Sequence, residues 1–199
     1  MADDKSGRTD QAHDADRRRR ERDLAEQLER MDEPRPPIED DVLDPVIEPL
    51  DGIEFPATSA AVVATIGDRA IEMPDDHVPV ADLLPNSERI VFESTAAVRA
   101  RTKRPTVAAA MKRIVEAADE LQEAEFDRSR REAYEKTLRA LAAIDATDDD
   151  QPVDVIADWI VDHVHANDSL PGSRAVRRQA AKHCRSQDYA VSNNDWLGI

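Results

Sequence analysis

The segment from residue 105 to residue 145 constrains the fold most, because its apolar residues recur at the spacing of an α-helix. Starting from position 107, they fall at i, i+3, i+4, i+7, i+8, i+11 and i+14: Val107, Ala110, Met111, Ile114, Val115, Ala118 and Leu121. This stripe predicts an amphipathic helix that buries one face. Pro105 or Thr106 is its expected first residue, since proline is tolerated in the first turn.

Three further helices are predicted after this one. Ser129-Arg130-Arg131-Glu132 has the form of a capping box, and it precedes an apolar stripe of Tyr134, Leu138, Leu141, Ala142 and Ile144. Gln151-Pro152 begins a third helix with the stripe Val153, Ile156, Ala157, Ile160 and Val164, with Trp159 beside it. Residues 167–172 then form a turn, and Ser173 is expected to cap a fourth helix to about Gln187. The tail at 189–199 is apolar, so we expect it to dock on the helices.

Residues 50–103 have a different pattern, with apolar residues in short bursts. Thr58 is a plausible N-cap for a short helix that ends at Gly67, and Ser94 for another that continues through Arg101. Between them, residues 70–73 and 78–80 are predicted as short extended pieces. The segment is therefore expected to be a small helical module with a possible short hairpin.

The first 49 residues are charged and rich in proline. Residues 1–40 carry 9 basic and 13 acidic residues. The run Glu33-Pro34-Arg35-Pro36-Pro37, followed by Pro45 and Pro49, predicts a stiff linker. The predicted fold class is mainly α, with a disordered acidic N-terminal arm and a C-terminal four-helix region that ends like a helix-turn-helix. The predicted boundaries are 1–49 for the arm and linker, 50–103 for the module and 105–199 for the helical domain.

Acidic residues dominate the composition and bear on the environment of the protein. The net charge is −16, from 27 Asp and 16 Glu against 22 Arg and 5 Lys. Excess aspartate, scarce lysine and abundant alanine resemble the proteins of extreme halophiles, whose surface carboxylates keep them hydrated in concentrated salt. The alternative is an ordinary acidic protein with an acidic tail.

Three absences favour a cytoplasmic protein. A single cysteine, Cys184, excludes a disulfide framework within the chain. The charged N-terminus lacks the apolar stretch of a signal peptide. No apolar run approaches the ~18 residues that would span a bilayer. We therefore expect no contact with a membrane.

A resemblance covers roughly a quarter of the chain. Phe55-Pro56-Ala57-Thr58 before one predicted helix, and Phe92-Glu93-Ser94 before another, resemble the opening and closing segments of small prokaryotic domains of unknown function. Bacterial and haloarchaeal versions share an opening of the type Phe-Pro-Ala-Thr. The resemblance implies a fold type and a haloarchaeal origin, in an uncharacterised acidic helical protein, and it implies no activity.

Catalytic and metal-binding patterns are absent from the sequence. The glycines lie too far apart for a phosphate-binding loop. His163 and His165 would lie on different faces of a helix, and His183 and Cys184 would point about 100° apart, so neither pair forms a metal site. Cys184 lacks a suitably placed base, although basic neighbours could lower its thiol pKa. We expect no enzymatic activity, no cofactor, no metal and no small-molecule substrate.

One predicted helix near the C-terminus stands out as the only net-basic stretch. Residues 169–199 carry a net charge of +3, whereas residues 41–168 carry −15. The basic residues of this helix fall within an arc of about 140° at ~100° per residue: Arg174, Arg177, Arg178, Lys182 and Arg185. With the preceding helix and turn, this arrangement loosely resembles winged-helix DNA readers.

Three interpretations of this helix stay open. The first is a nucleic-acid-associated or regulatory binding module that uses the basic face. The second is a protein–protein adaptor without nucleic-acid binding. The third is a basic face that pairs with acidic residues of the same chain, as such faces often do. High salt favours the third, because phosphate contacts weaken steeply as salt rises.

Overall fold

The computed structural model describes residues 37–73, 76–121, 126–144 and 152–189, which are mainly α-helical. The helices are α1 (Asp40–Ile47), α2 (Ser59–Ile66), α3 (Val80–Leu83), α4 (Thr95–Thr102), α5 (Pro105–Asp119), α6 (Arg128–Ala142), α7 (Pro152–Asn167) and α8 (Ser173–Ser186), with a 3-10 helix at Glu48–Gly52. Strand β1 (Ala57–Thr58) pairs antiparallel with β4 (Val91–Phe92), and β2 (Ala70–Met73) pairs antiparallel with β3 (Asp76–Pro79). The predicted mainly α fold is confirmed. The arm at 1–36, the aspartates at 148–150 and the tail at 190–199 lie outside the described residues.

The short elements of the first half enclose an apolar core. Both predicted N-caps are confirmed: the Thr58 hydroxyl accepts a hydrogen bond from the Ala61 N–H, and the Ser94 hydroxyl accepts one from the Ala97 N–H. The predicted extended pieces form the β2–β3 hairpin, in which Ile71 lies opposite Val78. These local features fix the ends of the helices that surround the core.

The linker predicted for residues before 50 is wrong from Asp40 onward. The segment forms α1 and the 3-10 helix, although Pro45 lies inside α1. Four of its apolar side chains are buried in the first core: Leu43, Val46, Ile47 and Leu50. Burial of this face stabilises a helix despite the missing N–H of Pro45.

Helices α5, α6, α7 and α8 enclose a second core. All seven residues of the predicted α5 stripe are at most 8% exposed, and the predicted α7 stripe is at most 1% exposed. The hydroxyl of the fully buried Tyr134 on α6 donates a hydrogen bond to the Pro171 carbonyl in the turn between α7 and α8. This bond joins α6 to the start of α8.

Two predicted caps in this region are wrong. Helix α6 is capped by Asp127, whose Oδ1 accepts from the Arg130 N–H at 2.7 Å, and Glu132 pairs instead with Arg128. The helix therefore begins at Arg128, and Ser129 lies within its first turn instead of capping it. The N-cap of α8 is Gly172 rather than Ser173, and no side chain bonds to this helix start.

Helix α5 contributes to both cores. Ala108 packs into the first core, whereas Val107, Ala110 and Ile114 pack into the second. An ion pair between Arg101 on α4 and Glu135 on α6, 2.8 Å apart, also joins the two halves. Within the described ranges, none of the helices has the length and apolar character that crossing a bilayer requires.

Candidate nucleic-acid interface

Helix α8 has well-defined ends and one buried face. At its start, the Gly172 carbonyl accepts from the N–H groups of Ala175 and Val176. At its end, Asp188 has a positive φ of 56°, and the Tyr189 N–H bonds back to the Cys184 carbonyl at 3.0 Å. This is the geometry of a Schellman-type C-terminus. The buried face consists of Val176, Ala180, Ala181 and Cys184.

The structure exposes all five basic side chains predicted to form the site. Arg174, Arg178, Lys182 and Arg185 lie within about 80° of one another around the helix axis at ~100° per residue, and each is exposed. Arg177 is also exposed but lies about 60° outside this group, on the side of the buried Cys184. The predicted face is therefore centred on four of the five residues.

None of the five forms an ion pair or side-chain hydrogen bond with a residue that the structure describes. Cations elsewhere in those ranges behave differently. Arg99 pairs with Asp40 and Asp44, and Lys103 pairs with Asp40 at 2.9 Å. Pairing with described acidic residues of the same chain therefore does not account for the basic face of α8.

Two acidic residues of α7, a helix beside α8, are paired with a third helix. Helix α7 packs against α8 and carries Asp154 and Asp158. Both carboxylates instead bind the guanidinium of Arg113 on α5, with Asp154 at 2.6 Å. Two carboxylates of α7 are thus paired with α5 rather than with the cations of α8.

A second basic helix was missed from the sequence. Helix α6 carries five basic and two acidic residues, a net charge of +3, and it packs directly against α8. Its Lys136 and Arg139 are exposed and form no ion pair or side-chain hydrogen bond within the described ranges. The prediction that α8 is the only net-basic stretch is therefore wrong. A count of charge helix by helix finds α6, whereas the window 41–168 averaged it with acidic neighbours.

The side chains considered for nucleophilic or metal chemistry are a buried thiol and histidines that lie beside aromatic rings. Cys184 is 1% exposed, and burial raises the pKa of its thiol despite the opposing effect of Arg185. Arg185 acts in the predicted direction, but burial has the larger effect and the net pKa of the thiol is raised. The His183 ring lies 6.1 Å from the Tyr189 ring, and the His163 ring lies 5.6 Å from Trp159. The described residues contain no group of three potential metal ligands.

Comparison with known proteins identifies a domain but no activity. Residues 41–114 match the model of a family described as a family of unknown function (DUF5789). No curated protein and no solved structure gives a match. The matched region extends from α1 to Ile114 on α5 and includes the segments that carried the resemblance to domains of unknown function. It does not include α6, α7 or α8, so the basic helices lie outside it.

Proposed function

We propose that the protein is a non-catalytic, nucleic-acid-associated binding module of a halophilic prokaryote's cytoplasm, and that α8 provides its binding surface. The observation that supports this most is the state of the five cations on α8, which are exposed and unpaired within the described ranges. The chain has 43 acidic residues, and the cations of α4 and α5 are paired with them. A cationic surface without acidic partners among the described residues is suited to an anionic partner from outside.

The position of α8 suits contact with a nucleic-acid backbone. Its cations extend from Arg174 to Arg185, about 16 Å along the helix axis at ~1.5 Å per residue. Duplex DNA carries one negative charge per ~1.7 Å of its axis, so such a row lies against several phosphates. Five residues connect α7 to α8, and the proposal treats these two helices as a helix-turn-helix. In that arrangement the second helix fits a major groove ~12 Å wide.

High salt sets a condition on this function. In molar salt the Debye length is about 3 Å, so only charges in direct contact with phosphate attract it appreciably. The acidic remainder of the chain then repels nucleic acid little, because its charges are screened. The proposal therefore places the binding energy in close contacts of Arg178, Lys182 and Arg185 rather than in a long-range field.

The test is fluorescence anisotropy with labelled random and genomic duplexes of about 30 base pairs, titrated at several KCl concentrations. Wild type is compared with Arg178→Glu, Arg185→Glu. The two substitutions remove two attractions to phosphate and add two repulsions. Each of these four changes costs about 1 kcal/mol for charges in contact in water. We therefore expect at least a tenfold loss of affinity.

Two controls separate a local effect from a change in total charge. Arg178→Lys, Arg185→Lys keeps the charge of α8 and is expected to bind within a few-fold of wild type. Arg69→Glu, Arg89→Glu changes the net charge by the same amount in the first half of the chain, where both guanidiniums already have acceptors. If wild type and the Arg178→Glu, Arg185→Glu variant bind equally well, the proposal is refuted.

A further inference from the structure

Unpaired exposed cations in the described residues are confined to two helices that contact each other. Elsewhere in those ranges, each arginine and lysine has a partner in the same chain, such as Asp40 for Lys103 or Asp119 for Arg89. The exceptions with exposed side chains are Lys136 and Arg139 on α6, together with Arg174, Arg177, Arg178, Lys182 and Arg185 on α8. Helices α6 and α8 therefore share a property that the other described helices lack, namely exposed cations without a partner among the described residues.

The two helices are in direct contact. They pack against each other, and the Tyr134 hydroxyl on α6 donates to the Pro171 carbonyl just before α8. Packed helices lie about 8–10 Å apart. If the cations of both helices face the same side, they cover a surface roughly 16 Å long and one helix spacing wide.

The side chains around this surface favour a double-stranded partner. Proteins that bind single strands stack the bases on exposed aromatic rings. Among the described residues the aromatic rings are buried or half-buried, including Trp159 and Tyr189 next to α8, and Val91 on β4 is the exposed large apolar residue. Cations with no exposed aromatic ring beside them in the described part of the chain suit a stacked duplex, whose phosphates lie on the outside.

We propose that α6 and α8 form one composite surface that binds the backbone of double-stranded nucleic acid, with Lys136 and Arg139 contacting phosphates in addition to those contacted by α8. The inference rests on the proposed function of α8 and adds to it the class of partner and a second contacting helix. It predicts that each helix makes its own phosphate contacts, whose number can be measured.

The number of contacts is measured by the salt dependence of binding. The logarithm of the binding constant falls with the logarithm of salt concentration, with a slope of about −0.9 per phosphate contact. Lys136→Gln, Arg139→Gln removes two contacts with little change in helix propensity, so we expect the slope to become shallower by about 1.8. Arg178→Gln, Arg185→Gln is expected to change the slope by the same amount, and the four substitutions together by twice as much.

The outcomes separate this inference from the proposed function. A control variant, Arg69→Gln, Arg89→Gln, is expected to keep the wild-type slope. If the α6 variant also keeps it while the α8 variant does not, α6 takes no part and the proposed function stands. If the α8 variant keeps it, both proposals fail.

The class of partner is tested with the same proteins. A duplex is expected to bind at least tenfold more tightly than a single strand of equal length. Tighter binding of the single strand would overturn the double-stranded assignment. Equal competition by polyglutamate at matched charge would overturn it in favour of an acidic protein partner.

Discussion

The Tyr134 hydroxyl provides the sharpest test of how the bundle positions α8. The side chain is 0% exposed, and its hydroxyl donates to the Pro171 carbonyl, which is itself buried. Tyr134→Phe keeps the ring, including its contact with Phe126 at 5.3 Å, and removes only the donor. The substitution therefore isolates one hydrogen bond between α6 and the turn before α8.

The expected loss of stability follows from the carbonyl that is left behind. A buried acceptor without a donor costs about 1–3 kcal/mol, and we expect about 1.5 kcal/mol here because the ring still fills the space. At roughly 2–4 °C per kcal/mol, the melting temperature falls by about 3–6 °C. Tyr134→Ala, which also empties the ring site, is expected to cost about 3–5 kcal/mol.

The pH dependence supplies a second readout. Burial raises the pKa of Tyr134 far above its ordinary value of about 10. Above pH 10 the unfolded chain releases this proton while the folded protein keeps it, so folded stability falls by up to about 1.4 kcal/mol per pH unit. The phenylalanine variant lacks this loss. The wild-type advantage of about 1.5 kcal/mol is therefore expected to persist below pH 10 and to vanish near pH 11.

Urea unfolding followed by circular dichroism, at pH values from 8 to 11 in constant salt, measures both effects. Tyr189 is present in both proteins and cancels from the comparison. If Tyr134→Phe is as stable as wild type at pH 8, the hydrogen bond contributes nothing. If the difference between the two proteins stays constant through pH 11, the hydroxyl ionises in the folded protein and our account of its burial is wrong.

Three further substitutions or modifications test other features. Leu43→Ala is expected to cost about 2–5 kcal/mol in urea unfolding because Leu43 is 0% exposed, and an unchanged midpoint would support the linker predicted from the sequence. Asp168→Gly is expected to raise the melting temperature, gaining roughly 0.5–1 kcal/mol, because Asp168 has a φ of 47° at the end of α7; a lower melting temperature would contradict that backbone conformation. Cys184 is expected to react with a thiol reagent at pH 8 only after denaturation, and rapid labelling of the folded protein would show an accessible thiolate.

Features set by neighbouring residues in the sequence were predicted well. The α5 stripe and the caps at Thr58 and Ser94 depend on spacings of three or four residues, which the sequence displays directly. The stops at Gly67 and after Asn167 are of the same kind. Such local patterns identify where a helix begins, which face it buries and where it ends.

Errors arose where two local patterns competed. Asp127 and Ser129 are both good N-caps, and the capping-box form of Ser129 to Glu132 favoured the wrong one. In α1, the prolines suggested a linker, although Leu43, Val46, Ile47 and Leu50 already recur at i, i+3, i+4 and i+7. Packing against the first core decided in favour of the apolar stripe, and packing is a tertiary property that a propensity for turns does not contain.

The predicted site residues are exposed, a point that the sequence left open, and the pairing of the rest of the chain could not be read from the sequence either. An exposed ion pair contributes only about 0–1 kcal/mol, so neither pairing nor its absence is dictated by stability. Asp154 and Asp158 reach Arg113 because of the rotation of α7 about its own axis. Burial of the apolar stripe of α7 sets that rotation. The charge of each helix is therefore a sequence property, whereas the lack of ion pairs for the α6 and α8 cations, among the residues that the structure describes, is a property of packing. A helix packed for its apolar face in this way leaves its opposite face open to selection for binding, and on α8 that face carries arginine and lysine with no acidic residue among them.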